Sequence, residues 1–238
     1  MDIVYEDKNL IAVNKPSGLS VYPGETDSPR SATLISKLIK LFPDLKNVGE
    51  APRYGIVHRL DKETSGVVLI AKNDSALDYL QKQFELRKTN KKYLTLVNKK
   101  VKKQEGIIHT LIGRNPKNRL LQQAIELDSH LSYKKGLREA VSRFKVFSFL
   151  KDYTLLEVWP ETGRRHQIRA HMQFIGHPVV GDTKYGFRGT IPKGLKRIFL
   201  HAHSLEITLP NNVRKKIIAD LPKDLKSVIK NLSPKTIK

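Results

Sequence analysis

Val67-Val68-Leu69-Ile70-Ala71 is apolar at every position, and it follows directly on a string dense in charge and hydroxyls, His58-Arg59-Leu60-Asp61-Lys62-Glu63-Thr64-Ser65-Gly66. A short run without alternation reads as a strand buried in a core. Whatever this chain folds into must bury that strand and still present the charged string in front of it. A surface carboxylate needs no such setting. A reacting carboxylate must stay ionised in a partly dry pocket, and a nearby guanidinium favours its charged form. Hydroxyls and a glycine close behind can bond a ligand and let the backbone approach it. Arg-x-Asp alone is a commonplace surface pair; the whole nine-residue string is far more specific.

The rest of the chain alternates strand and helix signals. Ile3-Val4-Tyr5 and Leu10-Ile11-Ala12-Val13 predict a hairpin around Glu6-Asp7-Lys8-Asn9, and a Pro-, Gly- and Ser-rich loop follows from Lys15 to Arg30. Leu34, Ile35, Leu38, Ile39 and Phe42 recur at helical spacing before Pro43. Asp74 or Ser75 can cap a second helix burying Leu77, Leu80 and Phe84. Strands are expected at 92–97, 106–112, 140–149 and 153–159, with Arg114 to Gly136 a long exposed basic excursion. His166 to Ile175 reads as a helix stopped by Gly176. Leu205, Ile207 and Leu209 alternate as a strand, and Leu221, Leu225, Val228, Ile229 and Leu232 make a closing amphipathic helix, with a frayed tail. The pattern predicts an α+β fold of mixed, mainly antiparallel sheets with flanking helices, in a single domain over 1–238 whose 210–238 segment is a basic helix and tail.

Charge narrows the partner. The 238 residues hold 44 Lys and Arg against 23 acids, a net +21, and eight of the cations fall between Arg87 and Lys103 with no acid among them. A polyanion is the expected partner. Membrane binding is not, since the basic C-terminal stretch carries aliphatic, core-like apolar residues and no segment approaches the ~20 apolar residues of a bilayer span. There is no cysteine, which excludes disulfides, thiolate chemistry and the usual structural zinc sites. The start shows no signal-peptide pattern, and a cytoplasmic monomer is expected.

Two further strings accompany the one around Asp61: Leu10-Ile11-Ala12-Val13-Asn14-Lys15-Pro16-Ser17-Gly18-Leu19, and Pro160-Glu161-Thr162-Gly163-Arg164-Arg165-His166-Gln167-Ile168-Arg169-Ala170-His171. With Lys92-Tyr93, Gly176-His177-Pro178, Gly181-Asp182 and Leu200-His201-Ala202, the chain resembles the RluA type of RNA pseudouridine synthase over about residues 3–209. Asn14-Lys15-Pro16 lies so near the start that the small RNA-binding domain many members carry ahead of the catalytic one is not expected. The resemblance implies a central RNA-binding cleft and the isomerisation of a uridine to pseudouridine in structured ribosomal or transfer RNA, mildly favouring a small stem-loop.

That reaction breaks a glycosidic bond, turns the base, and rejoins it through C5. Nothing is oxidised, reduced or hydrolysed on balance, so neither cofactor nor metal is expected. By resemblance Asp61 is the essential aspartate, acting as nucleophile at the sugar or as a base removing a sugar proton. Tyr93 is the tyrosine against the uracil ring, and Arg169 the ion-pair partner of Asp61 from more than a hundred positions away. Arg59 is the cation that fills the stack when the target base leaves it. Asn14, Lys15, Thr64, Ser65, Gly66, Arg164 and His166 are the expected substrate-binding and loop-shaping residues.

Two rivals account for part of the pattern. A non-catalytic RNA-binding protein or RNA chaperone explains the charge but not the string around Asp61. A metal-dependent nuclease would use the histidines, yet His166 and His171, five apart, do not share a helical face.

Overall fold

The computed structural model describes residues 1–24, 32–132 and 135–233. Part of the Lys15–Arg30 loop, two residues of the basic excursion and the end of the tail lie outside the described residues. The chain forms two compact units interleaved in sequence: 1–91 with 202–220, and 92–201 with the segment from 221 onward.

In the first unit, β1 (Ile3–Glu6) and β2 (Leu10–Lys15) form the expected antiparallel hairpin. Asp7 closes the turn, its Oδ1 accepting from the backbone N–H groups of Asn9 and Leu10 at 2.7 and 2.9 Å. β3 (Ser65–Ala71) runs antiparallel to β2, with Lys15 opposite Gly66, and all seven of its residues are buried. Burial on both faces is why its sequence shows no alternation. β9 (Leu200–Thr208), which enters this unit at Ala202, follows β3 in the strand order, and β10 (Arg214–Ile218) lies antiparallel on β9. The 210–238 reading contained no strand; Arg214-Lys215-Lys216 mask one in which Ile217 is the buried residue.

Helix α1 (Leu34–Leu41) opens on a capping box between Thr33 and Ser36, and Pro43 begins a short 3-10 turn, Pro43–Asn47. Helix α2 (Asp74–Glu85) is capped by Asn73, whose side chain accepts from Ala76 N, not by Asp74 or Ser75. Leu77 and Leu80 face a core shared with Leu10, Leu69, Leu205 and Ile207.

The second unit orders its strands β4 (Asn90–Asn98), β8 (Tyr153–Pro160), β7 (Arg138–Leu150), β5 (Glu105–Arg114) and β6 (Gln122–Ile125), each antiparallel to its neighbour. Helix α3 (Gln167–Phe174) sets Ile168 and Met172 onto Val97, Ile108, Phe144 and Leu156. Helix α4 (Lys223–Leu232) sets Leu225 and Val228 against Leu96, Leu155 and Phe199.

Two expectations change here. The excursion after Arg114 returns strand β6, anchored where Gln122 N donates to the Tyr185 hydroxyl at 2.8 Å. The basic run is not one patch. β4 stands between its halves, so Lys92 and Lys99 are separated by roughly 20 Å at the usual strand rise. Lys92 is spoken for by Glu157 at 2.6 Å, whereas Lys99, Lys100, Lys102 and Lys103 sit exposed on the β4–β5 turn.

Candidate active site

Asp61 occupies a tight turn before β3, half-buried, with Thr64 N donating to the Asp61 carbonyl at 3.0 Å. The turn is held from outside by the end of β2. Lys15 is completely buried, and its Nζ donates to the carbonyls of Pro16, Leu19 and Lys62 at 2.9, 2.8 and 3.1 Å. Gly18 N also donates to the Lys62 carbonyl, at 2.8 Å, and Ser17 Oγ donates to that of Glu63 at 2.6 Å. The Asn14–Gly18 and Asp61–Glu63 strings, 47 positions apart at Lys15 and Lys62, therefore form one clamp. Lys15 uses its N–H bonds on backbone rather than facing solvent. Lys15→Met keeps the volume and removes the donors, and is expected to lower stability by about 2–4 kcal/mol. Urea unfolding measures this, and an unchanged midpoint would exclude the clamp.

Around that turn the remaining residues of the string have separate tasks. Gly66 has φ +123°, and a Cβ there would lie 2.2 Å from the carbonyl oxygen of Ala202. Its smallness thus admits the close strand contact with β9. Ser65 is fully buried in β3. Thr64 is also buried, and its Oγ1 has no hydrogen-bond partner among the described residues. A buried hydroxyl left so costs about 1–3 kcal/mol, and here it lies three residues from Asp61. Asn14 reaches away, donating from Nδ2 to Asp2 at 3.0 Å. Arg59 is exposed; its Nη1 donates to the Tyr22 hydroxyl at 2.7 Å and its guanidinium lies 4.9 Å from the Tyr22 ring centre. Tyr22 was not singled out in the sequence, although it sits in the loop after β2 where an aromatic beside a proline is a usable signal. His58 stacks on Phe84 at 4.6 Å and accepts from Leu69 N at 3.1 Å; burial, and then the charge of Lys91, push its pKa down to about 3.

In the second unit Arg169 is buried in α3 and grips Asp182 with two bonds, Nε to Oδ2 at 2.6 Å and Nη2 to Oδ1 at 3.0 Å. Its guanidinium also lies 4.6 Å from the Tyr185 ring centre. His166, the left-handed residue at the start of α3, meets the Tyr185 hydroxyl at 2.8 Å through Nδ1. Asp182 and Tyr185 are thus the residues that set Arg169 and His166. Gly181-Asp182 stands in the quoted matches without such a role. Arg164 donates from Nε to the Glu139 carbonyl at 2.9 Å, and its backbone N–H to Gln167 Oε1 at 2.9 Å. Tyr93 is half-buried in β4 opposite Val158, against the core that α3 covers.

His171 anchors the back of the same helix. Both ring nitrogens meet hydroxyls, Nε2 with Thr110 at 3.0 Å and Nδ1 with Ser142 at 2.9 Å. Burial, and then the nearby His109, push its pKa from 6.5 down to about 4. The unfolded chain therefore takes up this proton first. The stabilisation is complete above about pH 6.5 and is lost as pH falls toward 4. By pH 5 the loss from His171 alone is expected to reach about 2 kcal/mol. Urea midpoints at neutral pH and at pH 5 check this; identical midpoints would mean the imidazole is not held neutral.

The family model described as RNA pseudouridylate synthase matches residues 9–174. This chain belongs to that family. Among RNA pseudouridylate synthase relatives, an uncharacterized RNA pseudouridine synthase of Aquifex aeolicus is 43% identical over 82% of this chain and 59% of its own length. Ribosomal large subunit pseudouridine synthase D of Borreliella burgdorferi is 38% identical over 93% of this chain and 65% of its own. The chain spans about three-fifths of the length of the Aquifex relative. The solved structure of human RNA pseudouridylate synthase domain containing 1 matches with a TM-score of 0.76 at 26% identity, over 98% of this chain and 88% of that one. The RluA-type resemblance and the α+β fold stand on these matches.

Within this RNA pseudouridylate synthase fold, the described residues contain no group of three His, Asp or Glu side chains placed to hold a metal ion, and no helix long and apolar enough to cross a membrane. A cavity of about 450 Å³ lies in the second unit beside the excursion, lined by Arg114, Arg119 and Lys135 among others. None of Asn14, Lys15, Arg59, Asp61, Thr64, Ser65, Gly66, Tyr93, Arg164, His166 and Arg169 lines it.

Proposed function

We propose that the protein isomerises a specific uridine to pseudouridine in structured RNA, with Asp61 as the reacting carboxylate. The observation that carries this is the clamp: two of the family's strings converge on the single turn that presents Asp61. A turn held through the carbonyls of Lys62 and Glu63 fixes the stretch of backbone that carries Asp61.

In the reaction the bond from the sugar carbon to N1 breaks, the uracil turns, and a bond from the same carbon to C5 forms. The proton on C5 is lost and N1 gains one, so atoms and electrons balance within the nucleotide. Asp61 opens the sequence either by attacking the sugar or by taking a sugar proton. The Thr64 hydroxyl is assigned to the bound nucleotide. Arg59 leaves Tyr22 to fill the stack vacated by the everted base. Tyr93 and Arg169 carry the remaining catalytic assignments, Tyr93 by lying against the uracil ring. Lys15, Ser65 and Gly66 are assigned to shaping the loop.

The substrate is ribosomal or transfer RNA. Carbodiimide mapping of pseudouridine in RNA from cells with and without the gene tests the proposal and names the site. One position, or a few, should lose modification in the deleted strain and regain it with purified protein and no added metal. Identical maps would overturn the proposal.

A further inference from the structure

We propose that the end of the second unit built from the β4–β5 turn and the last residues of β7 is a contact surface for an unpaired stretch of RNA. The proposal rests on the RNA reading above and adds a second place where the same substrate is held.

Phe147 and Phe149 keep 64% and 42% of their surface exposed. Hiding a phenylalanine is worth about 1.5–3 kcal/mol, so two left open within three residues are a cost the fold does not recover by itself. Phe147 is the extra residue of an irregularity in β7: Val146 lies opposite Leu156, whereas Ser148 already lies opposite Leu155. A bulge of this kind re-aims side chains.

Lysines surround the pair. Lys145 and Lys151 flank it in sequence, and both are exposed. The β4–β5 turn brings Lys99, Lys100, Lys102 and Lys103, and two links place that turn beside the phenylalanines. Val146 N donates to the Gln104 carbonyl at 2.7 Å. Thr154, which lies opposite Phe149, donates from Oγ1 to the Lys99 carbonyl at 2.9 Å and accepts from Val101 N at 3.0 Å. Against these six lysines the same stretches carry two acids, Glu105 and Asp152.

The combination selects the occupant. An excess of lysine calls for a polyanion, and exposed rings call for flat apolar faces. Unpaired RNA offers both at once, phosphates for the lysines and bases for the rings. Tyr93 and Lys99 are separated by roughly 20 Å along β4, so the RNA held here lies outside the target nucleotide.

The test uses fluorescence anisotropy with two labelled probes, a blunt RNA stem-loop and the same stem-loop extended by an oligouridine 3′ tail. The wild-type protein is expected to bind the tailed probe about tenfold more tightly. Phe147→Ala with Phe149→Ala should abolish that preference and leave blunt-probe affinity unchanged, as should Lys100→Glu with Lys102→Glu. The altered side chains are exposed, so thermal unfolding should match wild type. Should a variant fold poorly, crosslinking of 5-iodouridine in the tail to the wild-type protein decides, with an adduct on Phe147 or Phe149 supporting the surface and adducts elsewhere overturning it. No tail preference in the wild type, or an undiminished one in the double variants, overturns the proposal. So does loss of binding to phosphatidylserine vesicles with RNA binding intact, which would assign the patch to a membrane. Pseudouridine formation measured in parallel separates the two readings. Tail preference without modification leaves this surface standing and removes the proposed activity, and modification without tail preference does the reverse.

Discussion

Asp61→Asn is expected to lower kcat/KM for pseudouridine formation by about a thousandfold or more, while RNA affinity changes by no more than about threefold. The amide matches the carboxylate in shape but neither attacks a sugar carbon nor accepts a proton from one. The clamp survives the change, because its bonds end on the carbonyls of Lys62 and Glu63, and the bond from Thr64 N ends on the carbonyl of residue 61 rather than on its side chain. Affinity survives because it comes mainly from cations meeting phosphates. Single-turnover conversion of the mapped RNA, set beside anisotropy on the same RNA, measures both quantities. Near-normal conversion would remove Asp61 from the chemistry. Loss of binding in step with activity would instead assign Asp61 to holding the RNA rather than to the chemistry.

Asp182→Ala carries the largest expected effect on stability, about 3–5 kcal/mol. Arg169 and Asp182 keep only 6% and 1% of their side chains exposed and share two hydrogen bonds, so deleting the acid strips one edge of a buried guanidinium. Asp182 also caps the turn Thr183–Tyr185, accepting from Tyr185 N at 3.3 Å, and Tyr185 in turn bears on Arg169, His166 and Gln122. The damage should spread through α3 and β6 together. Thermal unfolding is expected to drop on the order of 10 °C, and Asp182→Asn, which keeps an acceptor, should lose less. A shift below about 2 °C would show that the pair is not carrying this part of the fold.

How much of this was legible follows from the range of each interaction. β3 and α1 were readable because the cause is local: an unbroken apolar run, and an amphipathic repeat closed by Pro43. The helix at 167–174 was readable up to Gly176 for the same reason. β6 and β10 were not, since both are short and set among basic residues, and each is specified by the strand it pairs with. For Lys15 the sequence leaves a structural or an RNA-contacting role open; only the fold reveals that three carbonyls converge on it. Asp182 lies 13 positions onward from Arg169 and Tyr22 lies 37 positions back from Arg59, beyond any local periodicity. The linear crowding of cations from Arg87 to Lys103 overstated their proximity, because a strand divides them.

The interleaving of the two units bears on how the protein is made. The first unit takes in residues 202–220, and Gly66 is shaped to receive Ala202. During vectorial synthesis the strand behind Asp61 therefore waits, one flank open, until the ribosome has delivered a segment more than a hundred residues downstream. The order of synthesis thus sets a delay before that edge of the sheet can be covered.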